Sequence, residues 1–470
     1  MSTPAGALPA RRVDAAGRAH VDFREIWRLA APLMANSSIQ AILNLTDTWF
    51  ISRLSTTATA AVGAIYWAML CILVLLGGVG MASQTFAAQF FGAGRYRRAA
   101  HATWSGLYAA IAMTPLFVAA AFAGKPLLAL LGLSPELQHL ALEFWWPRLA
   151  IAGPIGLCAW VLTGFFNGVS RGRVTLVIST VTALANIPFN EFFMFHLKLG
   201  VAGSAWGTAA AQVVGLALAL GFFLAPGVRR RFRSHLTWRR PAVGKQIVLG
   251  LPMGMSIAAD LLGLALFQAM LVSVSNVAGA ATQIIMMLTS VAYMPAIGIA
   301  IAGTSLVGQS IGAGDPDWAG RVGNAIILLA VAFMGTIGIA LALLGPWVLP
   351  FFVNAADPNA GAVLSLAGTL IWMAACYQVF DGLNVGSSFC LRGAGDVRVP
   401  AILVAVLSWG LWVPLTHVAT FAAGDGWVHF LPQLGYGPVG GWCVCVGYVV
   451  ALGTALGLRW RSGAWRRIRL

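Results

Sequence analysis

Apolar stretches follow one another along almost the whole chain, separated by short polar, glycine- or proline-bearing steps. A helix needs about 20 mostly apolar residues to cross roughly 30 Å of hydrocarbon. By that measure the pattern predicts spans at 26–51, 61–91, 102–123, 140–168, 174–195, 201–225, 246–275, 281–311, 322–344, 361–391, 399–422 and 438–459. A transmembrane barrel would instead show segments of about ten residues with alternating polarity, and none is visible. Only helices and closed barrels satisfy their backbone groups in lipid. The expected fold class is therefore an all-α integral membrane protein with twelve transmembrane helices. Residues 1–25 have no apolar core and read as a polar tail rather than a cleavable signal.

The spans repeat. Pro32 and Pro252, Gly78 and Gly298, and Gln89 and Gln309 are each 220 residues apart, as are Gly92-Ala93-Gly94 and Gly312-Ala313-Gly314. Arg173-Val174 and Arg398-Val399 continue the match at an offset of 225, and Gly-Val-Ala-Gly at 200–203 echoes Gly-Pro-Val-Gly at 437–440. Each copy holds six spans, an even number, so both enter the membrane in the same sense. The repeat is then parallel, about an axis along the membrane normal, with a cleft between lobes. The expected organisation is a cytoplasmic tail (1–25), an N lobe (26–225), a basic linker (226–245), a C lobe (246–459) and a second tail (460–470).

Composition agrees with lipid as the solvent: 59% of the 470 residues are hydrophobic and 9% charged, against about 25% charged in soluble domains. The net charge of +15 raises the question of nucleic acid. Its distribution answers it. Of 29 Lys and Arg, 25 fall on one set of helix ends, which includes both tails and the linker; only Arg53, Lys125, Arg148 and Lys198 fall on the other. The positive-inside rule makes the basic side cytoplasmic. Both termini are then inside, a bacterial inner membrane is the natural host, and no nucleic-acid partner is expected. The six cysteines, Cys71, Cys158, Cys376, Cys390, Cys443 and Cys445, lack metal-site spacing and read as small core residues. Trp145-Trp146, Trp347 and Trp442 read as interfacial belts.

Among the acidic residues, Glu191, beside Asn190, is set aside as interfacial, while Asp47, Asp260 and Asp381 are read as intramembrane. Such a group costs about 2.5–3.5 kcal/mol even on conservative insertion scales, and marks an ion or substrate path by default. No span is expected to carry a matching buried Lys or Arg, so these carboxylates must bind a proton or an external cation. Gln40 and Asn44 precede Asp47 by one to two turns, on or near its face. Asn186 and Asn190 are four apart around Pro188, with Thr208 one span on; their oxygens suit a hard cation, although helix–helix hydrogen bonding is an equal reading. Tyr377 and Asp381 are four apart, with Gln378 and Asn384 nearby. Pro32, Pro115, Pro188, Pro252 and Pro295 fall within spans and permit kinks. The run Gly77-Gly78-Val79-Gly80 is a packing motif. No nucleotide loop, metal cluster or nucleophile–base set is present, so the protein is not expected to be an enzyme, no cofactor is expected, and an ion gradient would have to drive any transport.

These residues resemble the MATE family, the multidrug and toxic compound extrusion transporters. The signs are Ala31-Pro32, Thr46-Asp47-Thr48, Gln89 with Gly92-Ala93-Gly94, Gly250-Leu251-Pro252-Met253, Gln309 with Gly312-Ala313-Gly314, and Leu391-Arg392-Gly393-Ala394-Gly395-Asp396. The resemblance covers about residues 24–455. It implies two six-helix lobes and export of cationic amphipathic compounds against inward Na⁺ or H⁺. The acidic set is similar to the NorM-type branch. There Asp47, Asn186, Asn190 and Thr208 take the N-lobe cation-site positions, and Tyr377 and Asp381 the tenth-helix pair. Asp260 stands where that branch usually has a glutamate, one methylene longer. Na⁺ is implied at Asp47, Asn186 and Asn190, or at Asp260, Tyr377 and Asp381, with Gln40, Asn44 and Asn384 as further candidates. A monomer is expected. A lipid-linked precursor flippase of the same superfamily is the alternative, but it would need a cationic cavity. A non-transporting membrane protein is the other.

Overall fold

The structure, a computed structural model, describes residues 8–129, 134–234, 240–354 and 357–468. Residues 1–7 of the first tail, 235–239 of the basic linker and 469–470 of the second tail lie outside the described residues. Among the described residues, twelve long helices run in chain order. They are α1 (Phe23–Ser52), α2 (Thr56–Gly92), α3 (Tyr96–Phe122), α4 (Pro135–Gly168), α5 (Gly172–His196) and α6 (Gly200–Leu224), then α7 (Pro241–Val274), α8 (Asn276–Gly312), α9 (Pro316–Phe352), α10 (Ala360–Ala394), α11 (Arg398–Thr420) and α12 (Gly437–Arg461). Eleven are long and apolar enough to cross a membrane; α1 has the length, but Asn36, Ser37, Ser38, Gln40, Asn44 and Asp47 dilute its 30 residues. Polar residues inside a spanning helix are costly where they face lipid, so α1 is set apart from the start.

Helix ends repeat with the spans. Ser55 accepts the Ala58 N–H at the start of α2, and Ser275 accepts the Ala278 N–H at the start of α8; such caps satisfy backbone donors the helix itself leaves open. At the other ends, Gly94 (φ 68°) and Gly314 (φ 86°) take the left-handed turn that stops each helix, a conformation open to glycine without strain.

Two apolar cores form. One gathers α2–α6 with Phe50 and Ile51 from the end of α1. The other gathers α7–α12 with Ile26, Leu29, Ala30 and Leu33 from the beginning of α1. Helix α1 thus leaves one core and enters the other. Helix α7 mirrors it, packing Val243 and Ile247 on the N-lobe core.

The positions that repeat in sequence meet at the seam between lobes. A Cβ on Gly92 would stand 1.9 Å from the Gln309 carbonyl oxygen, and one on Gly312 would stand 1.9 Å from that of Gln89. Gly78 abuts Gly250 and Gly254 of α7, while Gly298 abuts Met34 of α1. The Gln89 amide donates to the Gly393 carbonyl at 3.0 Å, and the Gln309 amide to that of Gly168 at 2.7 Å. Gln84 donates to Ser305 Oγ at 2.9 Å, and Thr85 to the Arg392 carbonyl at 3.1 Å. All these bonds lie toward the helix ends that carry the basic loops.

Several expectations need correction. Trp145 and Trp442 are fully buried, not interfacial: Trp145 donates to the Ala120 carbonyl and Trp442 to Thr282 Oγ1. Trp146 and Trp347 are exposed. Of the cysteines, Cys71, Cys390 and Cys445 are core residues, whereas Cys376 and Cys443 are exposed. The first tail is more than a polar tail. Strands β1 (Arg11–Val13) and β2 (Ala19–Val21) pair antiparallel, and the hairpin rests on α9, where Trp318 Nε1 donates to the Pro9 carbonyl at 2.9 Å. Its turn is closed by Asp14, which accepts the Arg18 and Ala16 N–H groups and faces His20; these contacts, the Arg18 N–H first, hold that carboxyl below its usual range.

Candidate functional site

Asp47, Asn186, Asn190 and Thr208 come together in the N lobe from α1, α5 and α6, three helices in mutual contact. All four are buried. Asn186 and Asn190 share a face of α5 because they stand four apart. Pro188 lies between them, and α5 changes to a wider π-helical turn at Phe192–His196. Asn190 Nδ2 donates to Asp47 Oδ1 at 2.7 Å and to Asn186 Oδ1 at 3.1 Å. Thr208 Oγ1 lies 3.2 Å from Asp47 Oδ2 and takes the Asn186 Nδ2 hydrogen at 3.4 Å. The carboxylate is therefore met by hydrogen-bond donors. The Asn190 Oδ1 and Ser204 Oγ atoms are enclosed without a hydrogen-bond partner.

One sequence expectation fails here. Arg148 does not belong to an outer loop. It lies within α4, at the start of the π-helical turn Arg148–Ala152, which packs against α6. Its Nε and Nη1 atoms are enclosed and unpaired, and its charge is within reach of Asp47 and Tyr66. A second guanidinium, Arg392, is 6% exposed within α10, with its charge over the Phe389 ring at 4.4 Å. The spans thus do carry buried cations, and Asp47 is not electrostatically alone.

In the C lobe, Asp260 of α7 and Asp381 of α10 lie within electrostatic reach of one another, with Tyr293 of α8 and Tyr377 close by. Asn384 donates to Asp381 Oδ1 at 3.1 Å. Tyr448 of α12 donates to Asp260 Oδ1 at 2.5 Å and stacks on Trp412, with ring centroids 4.5 Å apart. Tyr377 packs by Trp442, and Gln378 spends its amide on the Thr289 carbonyl. Gln40 and Asn44 sit at exposed positions of α1. Glu191 turns outward to pair with Arg53 at 3.3 Å. Sequence reasoning missed Tyr448 and Arg148. The signal for Tyr448 was a phenol hydroxyl in a mostly apolar helix; that for Arg148 was its position eight residues inside its own expected span.

Two six-helix lobes, a glycine seam and one carboxylate cluster in each lobe define a multi-pass membrane transporter. Comparison places it more closely. A family model described as MatE matches residues 32–192 and 252–418, well over half of the 470 residues, and the chain belongs to that family. A probable multidrug resistance protein NorM of Bradyrhizobium diazoefficiens is 30% identical over 431 residues, covering 87% of this chain and 90% of its own. A multidrug resistance protein NorM of Burkholderia vietnamiensis is 30% identical over 408 residues, covering 85% and 87%. Among solved structures, a MATE in the straight conformation matches with a TM-score of 0.80 at 21% identity, over 93% of this chain and 95% of that one. An outward-facing multidrug resistance MATE transporter matches with a TM-score of 0.78 at 20% identity, over 93% and 94%. These likenesses show the fold.

Proposed function

We propose that this protein exports cationic amphipathic compounds from a bacterial cell across the inner membrane, in exchange for Na⁺ or H⁺, by alternating access. The observation that carries the reading is the pair of intramembrane carboxylate clusters, Asp47 with Asn186, Asn190 and Thr208, and Asp260 with Asp381, Tyr377 and Tyr448. Each sits inside a lobe, where a carboxylate is favourable only with a counter-charge, a proton or strong donors. A cationic substrate and a coupling cation can both satisfy that need, and competition between them is what exchange requires. The curated relatives are named for multidrug resistance, which supports the substrate class. The distribution of Lys and Arg supports cytoplasmic termini. A single chain holds both lobes and both clusters, which supports a monomer. The acidic rather than cationic character of the C-lobe cluster weighs against a lipid pyrophosphate as cargo.

The test is efflux of a cationic dye from proteoliposomes under separately imposed Na⁺ and pH gradients. At least one of the two gradients, imposed alone, should drive dye against its own concentration. Dye movement that follows only its own gradient, indifferent to both ions, would sink the exchange reading.

A further inference from the structure

We infer that the cytoplasmic end of the N lobe binds the phosphate of an anionic phospholipid through Arg97, Arg171, Arg229 and Arg231. The first observation is a reversal of charge between the two copies of the repeat. At the offset of 220, Arg95 and Arg97 stand where the C lobe has Asp315 and Asp317; at the offset of 225, Arg171 stands where it has Asp396. The chain uses all three C-lobe acids itself. Asp315 caps α9 by accepting the Trp318 N–H at 2.8 Å, Arg466 donates to Asp317 at 2.8 Å, and Arg459 donates to Asp396 at 2.7 Å. Helices α6 and α12 are both 25 residues long, and Arg229 follows the end of α6 (224 to 229) as Arg466 follows the end of α12 (461 to 466). The N lobe thus keeps the basic partner, Arg229, and has Arg97 in place of the acid. No Asp or Glu lies in 92–102, 168–174 or 225–245. Among the described residues none of these N-lobe arginines is in an ion pair, so an anion for them has to come from outside the chain.

The second observation is that the arginines are gathered and held. A short helical turn, Pro226–Phe232, buries Val228 and Phe232 and leaves Arg229 exposed. The Arg231 guanidinium stands over the Tyr96 ring at 5.1 Å and over Phe91 and Phe232 at 5.8 and 5.9 Å. Phe232 packs on Phe165 with ring centroids 5.1 Å apart. Phe165 lies in the last turn of α4, and the chain leaving that turn is tied back where the Arg171 N–H donates to the Phe166 carbonyl at 2.7 Å. Arg171 is half-buried; burial, and then the Arg231 charge, holds its guanidinium below the usual arginine value. Like charges brought together without a counter-ion repel, and an added phosphate removes that cost through paired N–H donors. The third observation is depth. The arginines lie where α2 ends at Gly92, α3 begins at Tyr96, α5 begins at Gly172 and α6 ends at Leu224. Helix ends on the basic side stand at the level of the lipid headgroups, in the leaflet that carries anionic lipid, which favours a headgroup over dissolved phosphate.

The experiment adds phosphatidylglycerol, phosphatidylcholine or inorganic phosphate to the purified full-length protein in neutral detergent. Bound lipid is read by native mass spectrometry and affinity by titrated thermal protection, with no transport involved. Phosphatidylglycerol should stay bound and raise the melting temperature; the other two should do neither. Arg171→Gln with Arg231→Gln should weaken phosphatidylglycerol roughly thirtyfold, the effect of two arginines near a charged headgroup. Because that pair also removes the ring contacts of Arg231, Arg97→Gln with Arg229→Gln is measured beside it; both of those positions are exposed, and the loss should be similar. Arg97→Asp should also weaken binding, by giving Arg229 the partner that Arg466 has. Arg461→Gln with Arg467→Gln takes the same charge from exposed C-lobe positions on the same side and should leave the affinity unchanged. Phosphatidylglycerol affinity that survives Arg97→Gln with Arg229→Gln, or that falls as far with Arg461→Gln and Arg467→Gln, would overturn the inference. Equal protection by phosphatidylcholine or by inorganic phosphate would overturn it as well, the first by removing the need for net negative charge and the second by removing the lipid.

Discussion

A carboxylate inside a helical bundle is held by what it touches, and the acids of the two lobes are held differently. Asp47 has two donors and a guanidinium within reach. Asp47→Asn keeps the shape but removes the charge that a proton or cationic substrate would meet. Cells carrying it should lose drug resistance to near the level of cells without the transporter, while membrane blots show an undiminished amount of protein. Asp260 depends on Tyr448, whose hydroxyl reaches it at 2.5 Å. Tyr448→Phe leaves the stack on Trp412 but strands a carboxylate oxygen, at a cost of about 1–3 kcal/mol. The expected result is a lowered melting temperature in detergent and export reduced several-fold; an unchanged melting curve would mean that water replaces the hydroxyl. Both acids were legible in the sequence, because charge inside an apolar run stands out. Their partners were less so. Tyr448 needs the rotation of α12, fixed by packing rather than by local pattern. Arg148 was assigned to a loop because counting charges at span ends treats each basic residue as loop-borne, whereas α4 begins at Pro135 and carries Arg148 well inside.

At the level of elements, the fold was readable wherever a residue type served one physical purpose. The 220-residue offset marks glycines and glutamines because backbones from the two lobes touch there, and only a residue without Cβ fits. Gly92 and Gly312 are the tightest pair, each facing a glutamine carbonyl of the other lobe. Gly92→Val and Gly312→Val should each lower the melting temperature and export, and by similar amounts, since the two sites are related by the repeat. Gly63, also in α2, has nothing within 4 Å of a built Cβ. Gly63→Ala should therefore be neutral or stabilising, by up to about 1 kcal/mol. Thermal melts of the three variants side by side check both statements; a strong difference between Gly92→Val and Gly312→Val would deny the symmetry. Other elements were hidden for definite reasons. The tail hairpin is fixed by Trp318, about 300 residues away in sequence, and no local alternation announced it. Trp442 looked like a belt residue because its burial depends on Thr282 and Phe267 from other helices.

In the whole molecule, the inter-lobe hydrogen bonds gather on the side of the basic loops, formed by Gln84, Thr85, Gln89 and Gln309 with the ends of α4, α8 and α10. Four or more such bonds, each worth about 0.5–1.5 kcal/mol net, can hold one face shut and yet be exchanged for another set. That is the size of bias a two-state rocking motion requires. Access from the cytoplasm then means parting α2 from α8 at Gln84 and Ser305, whose side chains meet at 2.9 Å. A Gln84→Cys, Ser305→Cys pair tests this in a chain whose six native cysteines are replaced. Before cross-linking, the pair should still export dye, since Gln84 loses its bonds to Ser305 Oγ and the Ile301 carbonyl while those of Thr85, Gln89 and Gln309 remain. After treatment with a short, cleavable bifunctional thiol reagent, export should stop in proportion to the fraction joined, and cleaving the linker should bring it back. The linker closes the seam without touching Asp47, Asp260 or Asp381, so cation binding by the joined protein should persist. Export that continues at full rate in quantitatively joined protein would show that the lobes do not part along this seam during transport.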